Sequence, residues 1–437
     1  MKIVEGITRA FSSRCCQMLV FLAMYALLAV EYYRFVYLNY YYLMGFDFVA
    51  APVPILVGLL MLAVVTIVMF GKCDAVSGKC EVASANYAVS MIVALLFCLP
   101  SIVMYQFGRV TSMVALYSML FLILLRTPLL KVGRWNLPHV PVKYQRYLLP
   151  TICLLCLLPF PLAYGLDGID LSSLTMGEET YDVRAAVSER ETLLTSYLMG
   201  PLYMVLLPML IVYGLTDIRH NWWMSLVGIA SMLFLFLLNP QKSIFFGLFV
   251  VLAMYAFKNY YAKAGIILYG LAAACLVSVL LNIATGHLMA ESIVLRRLFF
   301  IPVIVGDNYF TFFDGHPMLL SHSVLGRWVD YPYQLEPSRV IGEMMYNRAT
   351  TNCNTGIVGD GFMNFGHVGA VLFVAIGALF VRCIEGQMQN ARFFGLVALL
   401  VFTFLNSALF TTMLTHGGLV LLAAVCFLIP DERRATE

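Results

Sequence analysis

The sequence predicts an all-α integral membrane protein with about twelve transmembrane helices and two long loops on the non-cytoplasmic side. Three observations lead there. Hydrophobic residues fill 62% of the 437 positions and charged residues only 12%, with a mean hydropathy of +0.87, well above the apolar share of a soluble domain. The apolar residues come in runs of about 17 to 25, the length a helix needs to cross a bilayer core while satisfying its own backbone. The runs do not alternate, which argues against a β-barrel.

Spans are expected near 15–31, 51–70, 87–105, 110–126, 147–165, 193–215, 222–238, 243–257, 264–284, 367–382, 393–411 and 413–430. The eighth is short and the sixth carries a Gly200-Pro201 step, which softens its course. The N-terminal basic residues Lys2, Arg9 and Arg14 precede an apolar run with no small-residue cleavage site after it, so the run reads as a retained first span. The chain is expected to be one polytopic membrane domain, 1–437, without internal repeats.

Orientation follows from counting basic residues in alternate loops. Lys2, Arg9, Arg14, Lys72, Lys79, Arg126, Lys131, Arg134, Lys143, Arg146, Arg219, Lys258, Lys263, Arg382, Arg392, Arg433 and Arg434 fall on one side, seventeen of the 27 Lys and Arg. Both termini are therefore expected in the cytoplasm. The net charge of +3 is dispersed among loops, which gives no footprint for nucleic acid. Most of the eleven cysteines lie inside apolar runs and read as small buried hydrophobes. Cys73 and Cys80 flank a short loop without a second pair or a histidine, so no metal site is expected.

The two long outer loops are 166–192 and 285–366. Within the second, the apolar segment 298–306 is too short to span, contains Pro302 and runs into Asp307-Asn308, so it reads as an interfacial or re-entrant helix. Tyr32, Tyr33, Tyr37, Tyr40, Tyr41 and Tyr42 follow the first span and read first as an aromatic belt, second as a sugar-stacking platform.

The spans hold essentially no ionisable residue at mid-depth, unlike an ion-coupled transporter. Chemistry is expected at the outer face, where arginine is prominent. Arg184 and Arg190 lie in an acidic segment of the first loop, and Arg296-Arg297, Arg327, Arg339 and Arg348 in the second. Guanidinium forks bind phosphate oxygens in pairs. Against that, interfacial arginines snorkel toward lipid or pair with nearby acids, and for Arg184 a structural salt bridge is the simpler reading. The stretch FFDGHPMLLSHSVLG (312–326) offers His322 as a base or as plain polar surface. NTGIVGDGFMNFGHVG (354–369) offers Asn354, Asp360 and Asn364 to sugar hydroxyls or to helix capping. Lys242, in the short connection Asn239–Lys242, is an interfacial anchor or a further cation for an anionic ligand.

In order and spacing, these elements resemble the Wzy family of oligosaccharide repeat-unit polymerases, the O-antigen polymerases of bacterial inner membranes. The resemblance is carried by the 181–184 region, RRLFFIP (296–302), SHS (321–323), SRVIGE (338–343), NTGIVGDGFMNFGHVG and the Gln241-Lys242 step. It implies a metal-independent glycosyltransferase without a cofactor, acting at the periplasmic face. A growing glycan would pass from undecaprenyl diphosphate to a newly flipped, carrier-linked repeat unit. Implied partners are that lipid-linked oligosaccharide, membrane lipid and a chain-length-regulating co-polymerase. Arg184, Arg190, Lys242, Arg296, Arg297, Arg339 and Asn354 would contact the diphosphate or the glycan. The base would be His322, Asp360 or Glu343; other members vary at the positions of His322 and Asp360, so neither is assigned. The competing readings are an O-antigen ligase with a lipid A-core acceptor and, from another class, a lipid-linked oligosaccharide flippase.

Overall fold

The computed structural model describes residues 13–43, 45–71, 85–165, 187, 190–323 and 325–430, without the side chains of Val142 and Lys242. Lys2 and Arg9, the Cys73 and Cys80 pair, and most of the first long loop, with Arg184, lie outside the described residues. Those that are described form helices and connections with no strand, as a lipid-facing chain requires when each segment must satisfy its own backbone.

Nine helices among the described residues are long and apolar enough to cross a membrane: Arg14–Tyr40, Pro52–Phe70, Ala85–Phe107, Lys143–Tyr164, Leu193–Thr216, Ile218–Leu238, Tyr260–Thr285, Ile357–Gln387 and Leu409–Phe427. Three shorter apolar helices, Ser112–Arg126, Ser243–Tyr255 and Ala391–Asn406, fall where the sequence led us to expect the fourth, eighth and eleventh spans. Two boundaries differ materially from expectation. The first helix runs on past Glu31 to Tyr40 through a π-helical turn, Tyr32–Tyr37. The tenth, expected at 367–382, is preceded by a separate helical segment from Ile357 that takes in the polar stretch read as loop and meets it at a kink, Phe365-Gly366. Asp360 and Asn364 are tolerated there because they bond to each other and to neighbouring backbone.

The chain divides into two compact units. The first comprises Met1–Val132, Asn259–Arg382 and Val401–Leu409. Its innermost helix is Ala85–Phe107, whose apolar window is wholly buried. The segment expected to be interfacial is longer than nine residues. Met289–Glu291, a π-helical stretch Ser292–Phe300, and Ile301–Phe312 follow one another as a single helical run. Asp307 in this run accepts hydrogen bonds from the Thr111 amide (2.9 Å) and hydroxyl (2.7 Å), tying it to the start of Ser112–Arg126.

The second unit comprises Gly133–Lys258, Cys383–Leu400 and Phe410–Glu437. Its central feature is the antiparallel pair Leu193–Thr216 and Ile218–Leu238, where the Ser225 hydroxyl donates to the Ile211 carbonyl at 2.9 Å. Small polar side chains of this kind join helices when no water is present. The Gly200-Pro201 step does not break the first of these helices; a π-helical turn, Leu202–Leu206, follows directly after the proline, which has no backbone N–H to donate.

Candidate functional site

The first unit contains an open cleft of about 710 Å³ lined by three arginines, Arg296, Arg297 and Arg348. Thr351, Asn352, Asn354 and Asn406 add polar groups, and Leu43, Ile301, Val305, Tyr346 and Cys353 complete the wall. The volume is in the range of ligand sites. Among the described residues no carboxylate lines the cleft, and none of the three arginines has a carboxylate within ion-pair distance. Three cations in one concavity, without a carboxylate partner among the described residues, attract an anion.

Each wall is built by local sequence. The helical run 289–312 supplies the adjacent pair Arg296-Arg297. Arg296 is steered twice: its Nε donates to the Ser292 hydroxyl at 3.0 Å, and its guanidinium lies 4.3 Å above the Tyr40 ring. Arg297 is exposed. The opposite wall is the amphipathic helix Pro337–Tyr346, which ends at Asn347 in the left-handed conformation, φ 52°. Arg348 and the segment 351–354 come directly after it. Gly342 sets how close that segment lies, because a Cβ there would overlap the Thr351 carbonyl oxygen.

The segment is then pinned from two sides. The Cys353 amide donates to the Ser338 carbonyl (2.9 Å), and the Tyr309 hydroxyl donates to the Cys353 carbonyl (3.0 Å). Burial raises the Tyr346 phenol above its ordinary value although Arg296 and Arg297 pull it down, so it stays a neutral hydrogen-bond donor beside the cations.

The C-terminal end of the first helix is fastened to the same run. Arg34 donates to the Glu31 carboxylate and to the Glu291 carboxylate, both at 2.7 Å, and Asn282 donates to the other Glu291 oxygen at 2.6 Å. Glu291 is fully buried and lies five residues before Arg296. These paired charges were not foreseen from sequence.

The candidate residues fall into three groups. Arg296, Arg297 and Asn354 share the cleft, with Arg339 beside it, its Nε 3.4 Å from the Asn352 amide oxygen. Arg339, Glu343 and Tyr346 recur at positions i, i+4 and i+7, one face of the helix; Tyr346 lines the cleft, and Glu343 is exposed.

Asp360 and His322 belong to a neighbouring clamp. The Asp360 side chain is buried and already engaged: one oxygen accepts from the Leu409 amide (2.8 Å), the other from Asn364 Nδ2 (3.1 Å). Asn364 in turn accepts from the Leu320 amide through Oδ1 (2.9 Å) and from the Leu319 amide through its carbonyl (3.0 Å). Leu319 and Leu320 both have positive φ, 52° and 58°, a strained backbone held by these bonds. Just beyond, His322 is exposed and its ring stands 4.8 Å from the Tyr331 ring. The helix carrying Asp360 breaks at Phe365-Gly366, where φ 61° and ψ −149° at Gly366 are open only to glycine.

The third group lies in the second unit: Arg190 donates to the Tyr164 carbonyl at 3.0 Å, and Lys242 begins the helix Lys242–Tyr255. Tyr346, Arg348, Thr351, Asn352 and Asn406 line the cleft without having been singled out as ligand contacts beforehand. For Arg348 the signal was its charge on the same loop. Asn406, a polar residue ending an apolar helix, carried no motif. No protein-family model, curated protein or solved structure matches the chain.

Proposed function

We propose that this chain is a multi-pass glycosyltransferase of the oligosaccharide repeat-unit polymerase type. In this reading it has twelve spans, cytoplasmic termini and its cleft on the periplasmic side of a bacterial inner membrane. The observation that carries the proposal is the grouping of Arg296, Arg297 and Arg348, without carboxylate partners among the described residues, in a cleft with three asparagines. That combination suits a diphosphate attached to a sugar: guanidinium forks take the phosphate oxygens, and carboxamides and threonine take hydroxyls.

The reaction would be a displacement at the anomeric carbon of the donor glycan. The acceptor hydroxyl oxygen forms the new glycosidic bond, the bond from that carbon to the diphosphate breaks, and the electron pair leaves on the diphosphate. Arginines fixed before the reaction stabilise the charge where it develops. The hydroxyl proton goes to a base. Glu343 is favoured, because it is exposed and shares a helix face with Arg339 and Tyr346. His322 is the next choice; Asp360 acts in our reading through the clamp on residues 318–320. Carrier, sugar and co-polymerase are inferred from the family resemblance.

The test is a lipopolysaccharide gel from a strain lacking this protein. A core capped by one repeat unit supports a polymerase, and a core without repeats points instead to a ligase or a flippase.

A further inference from the structure

We propose that the tyrosines ending the first helix form a glycan subsite continuous with the arginine cleft, a proposal that rests on the diphosphate-sugar reading above. Six tyrosines lie in one short segment, and they do not behave alike. Tyr32 is fully buried and spends its hydroxyl on the Asp47 carbonyl at 2.7 Å. The others form a file of rings. Tyr33 and Tyr37 stack at 6.0 Å with Phe48 against both, at 4.7 Å and 5.6 Å. Tyr37 meets Tyr41 at 6.3 Å, Tyr41 meets Tyr42 at 6.1 Å, and Tyr42 meets Tyr40 at 6.4 Å.

The file ends on the cleft. Tyr40 lies under the Arg296 guanidinium, and Leu43, next to Tyr42 in the chain, is part of the cleft wall. Tyr41 and Tyr42 remain 64% and 68% exposed. An aromatic belt places rings at one depth around the whole circumference of a membrane protein; these rings are gathered at one point, beside the cations. A ring with an apolar face and a hydroxyl edge matches a pyranose, which has C–H faces and hydroxyl edges. The occupant is a glycan because a diphosphate held by Arg296 carries its first sugar one covalent bond away, next to Tyr40 and Tyr42.

The experiment is equilibrium binding to the full-length protein in lipid nanodiscs, with two probes. One is undecaprenyl diphosphate; the other is undecaprenyl-diphosphate-linked repeat units extracted from cells that make them. Tyr42→Ala should weaken binding of the glycan-bearing probe about ten-fold, the scale of one lost aromatic contact, while leaving the bare carrier unchanged. Tyr42→Phe should keep most of the affinity, since the stacking face survives. If Tyr42→Ala loses both ligands, Tyr42→Leu, which keeps an apolar side chain without a ring, decides by the same ratio. No effect of Tyr42→Ala on either probe, or an equal effect on both that Tyr42→Leu repeats, overturns the subsite and leaves the diphosphate reading standing. Wild-type protein that binds neither probe overturns both.

Discussion

Arg34 and Glu291, 257 positions apart in sequence, meet in an ion pair of 2.7 Å that fastens the first helix to the run carrying Arg296 and Arg297. Glu291 is completely buried, whereas the Arg34 side chain is about one third exposed. Removing Arg34 leaves the Glu291 carboxylate without its cation, so Arg34→Ala should cost about 3 kcal/mol, the lower end for a broken buried pair because Arg34 is partly in water. Thermal unfolding of the purified protein checks this. A melting temperature equal to wild type would show that the pair does not hold the two elements together.

The Asp360 carboxylate and a true general base should respond differently to substitution. Asp360→Ala strands the buried Leu409 amide, at about 1 to 3 kcal/mol, and releases Asn364 from the loop that leads to His322. Stability and chain elongation are expected to fall together. Glu343→Gln should leave the melting temperature unchanged and slow elongation by about 10²-fold to 10⁴-fold, the usual loss with a general base. Normal elongation by Glu343→Gln would pass the role to His322, for which His322→Ala is the corresponding test.

That contrast marks where sequence reasoning succeeded and where it stopped. Hydropathy located the apolar helices because a span's own residues determine its solvent. The arginines and the polar stretch of the second long loop, with the family resemblance, pointed to Arg296, Arg297 and Asn354, which share one cleft. Sequence reasoning stopped at relationships between distant residues. The stretch 357–366 looked like a loop because it is polar and rich in glycine, yet Asp360 is accommodated within a helix by an amide 49 positions away. The first span is expected to end at Glu31 because the apolar run stops there, at Glu31, Tyr32 and Tyr33. Arg34 and Glu291 make the charge there tolerable, and nothing local announces them.

Gly342 should be intolerant of even a methyl group. A Cβ there overlaps the Thr351 carbonyl, so Gly342→Ala must push the 351–354 segment away from the helix. The expected cost is about 1 to 3 kcal/mol of overpacking, with weaker binding of lipid-linked substrate. Unchanged stability and unchanged substrate affinity together would show that the segment has room to shift.

Topology is testable apart from chemistry. In the proposed orientation the loop between the fourth and fifth expected spans, with Arg126, Lys131, Arg134, Lys143 and Arg146, would face the cytoplasm. Reporter fusions after Arg146 and after Thr175 should give opposite answers, and matching answers would break the twelve-span arrangement.

The central claim is that Arg296 and Arg297 grip a diphosphate, and the most direct measurement is the O-chain ladder from cells expressing their alanine and lysine variants at matched protein level. A hydrogen bond to a charged group contributes roughly 1.5 to 3 kcal/mol, so each alanine variant should slow polymerisation by about ten-fold to a hundred-fold. Lysine keeps the charge and loses the fork, so at least one lysine variant should show shortened chains and more single-repeat product. Wild-type ladders from both alanine and both lysine variants would contradict the account.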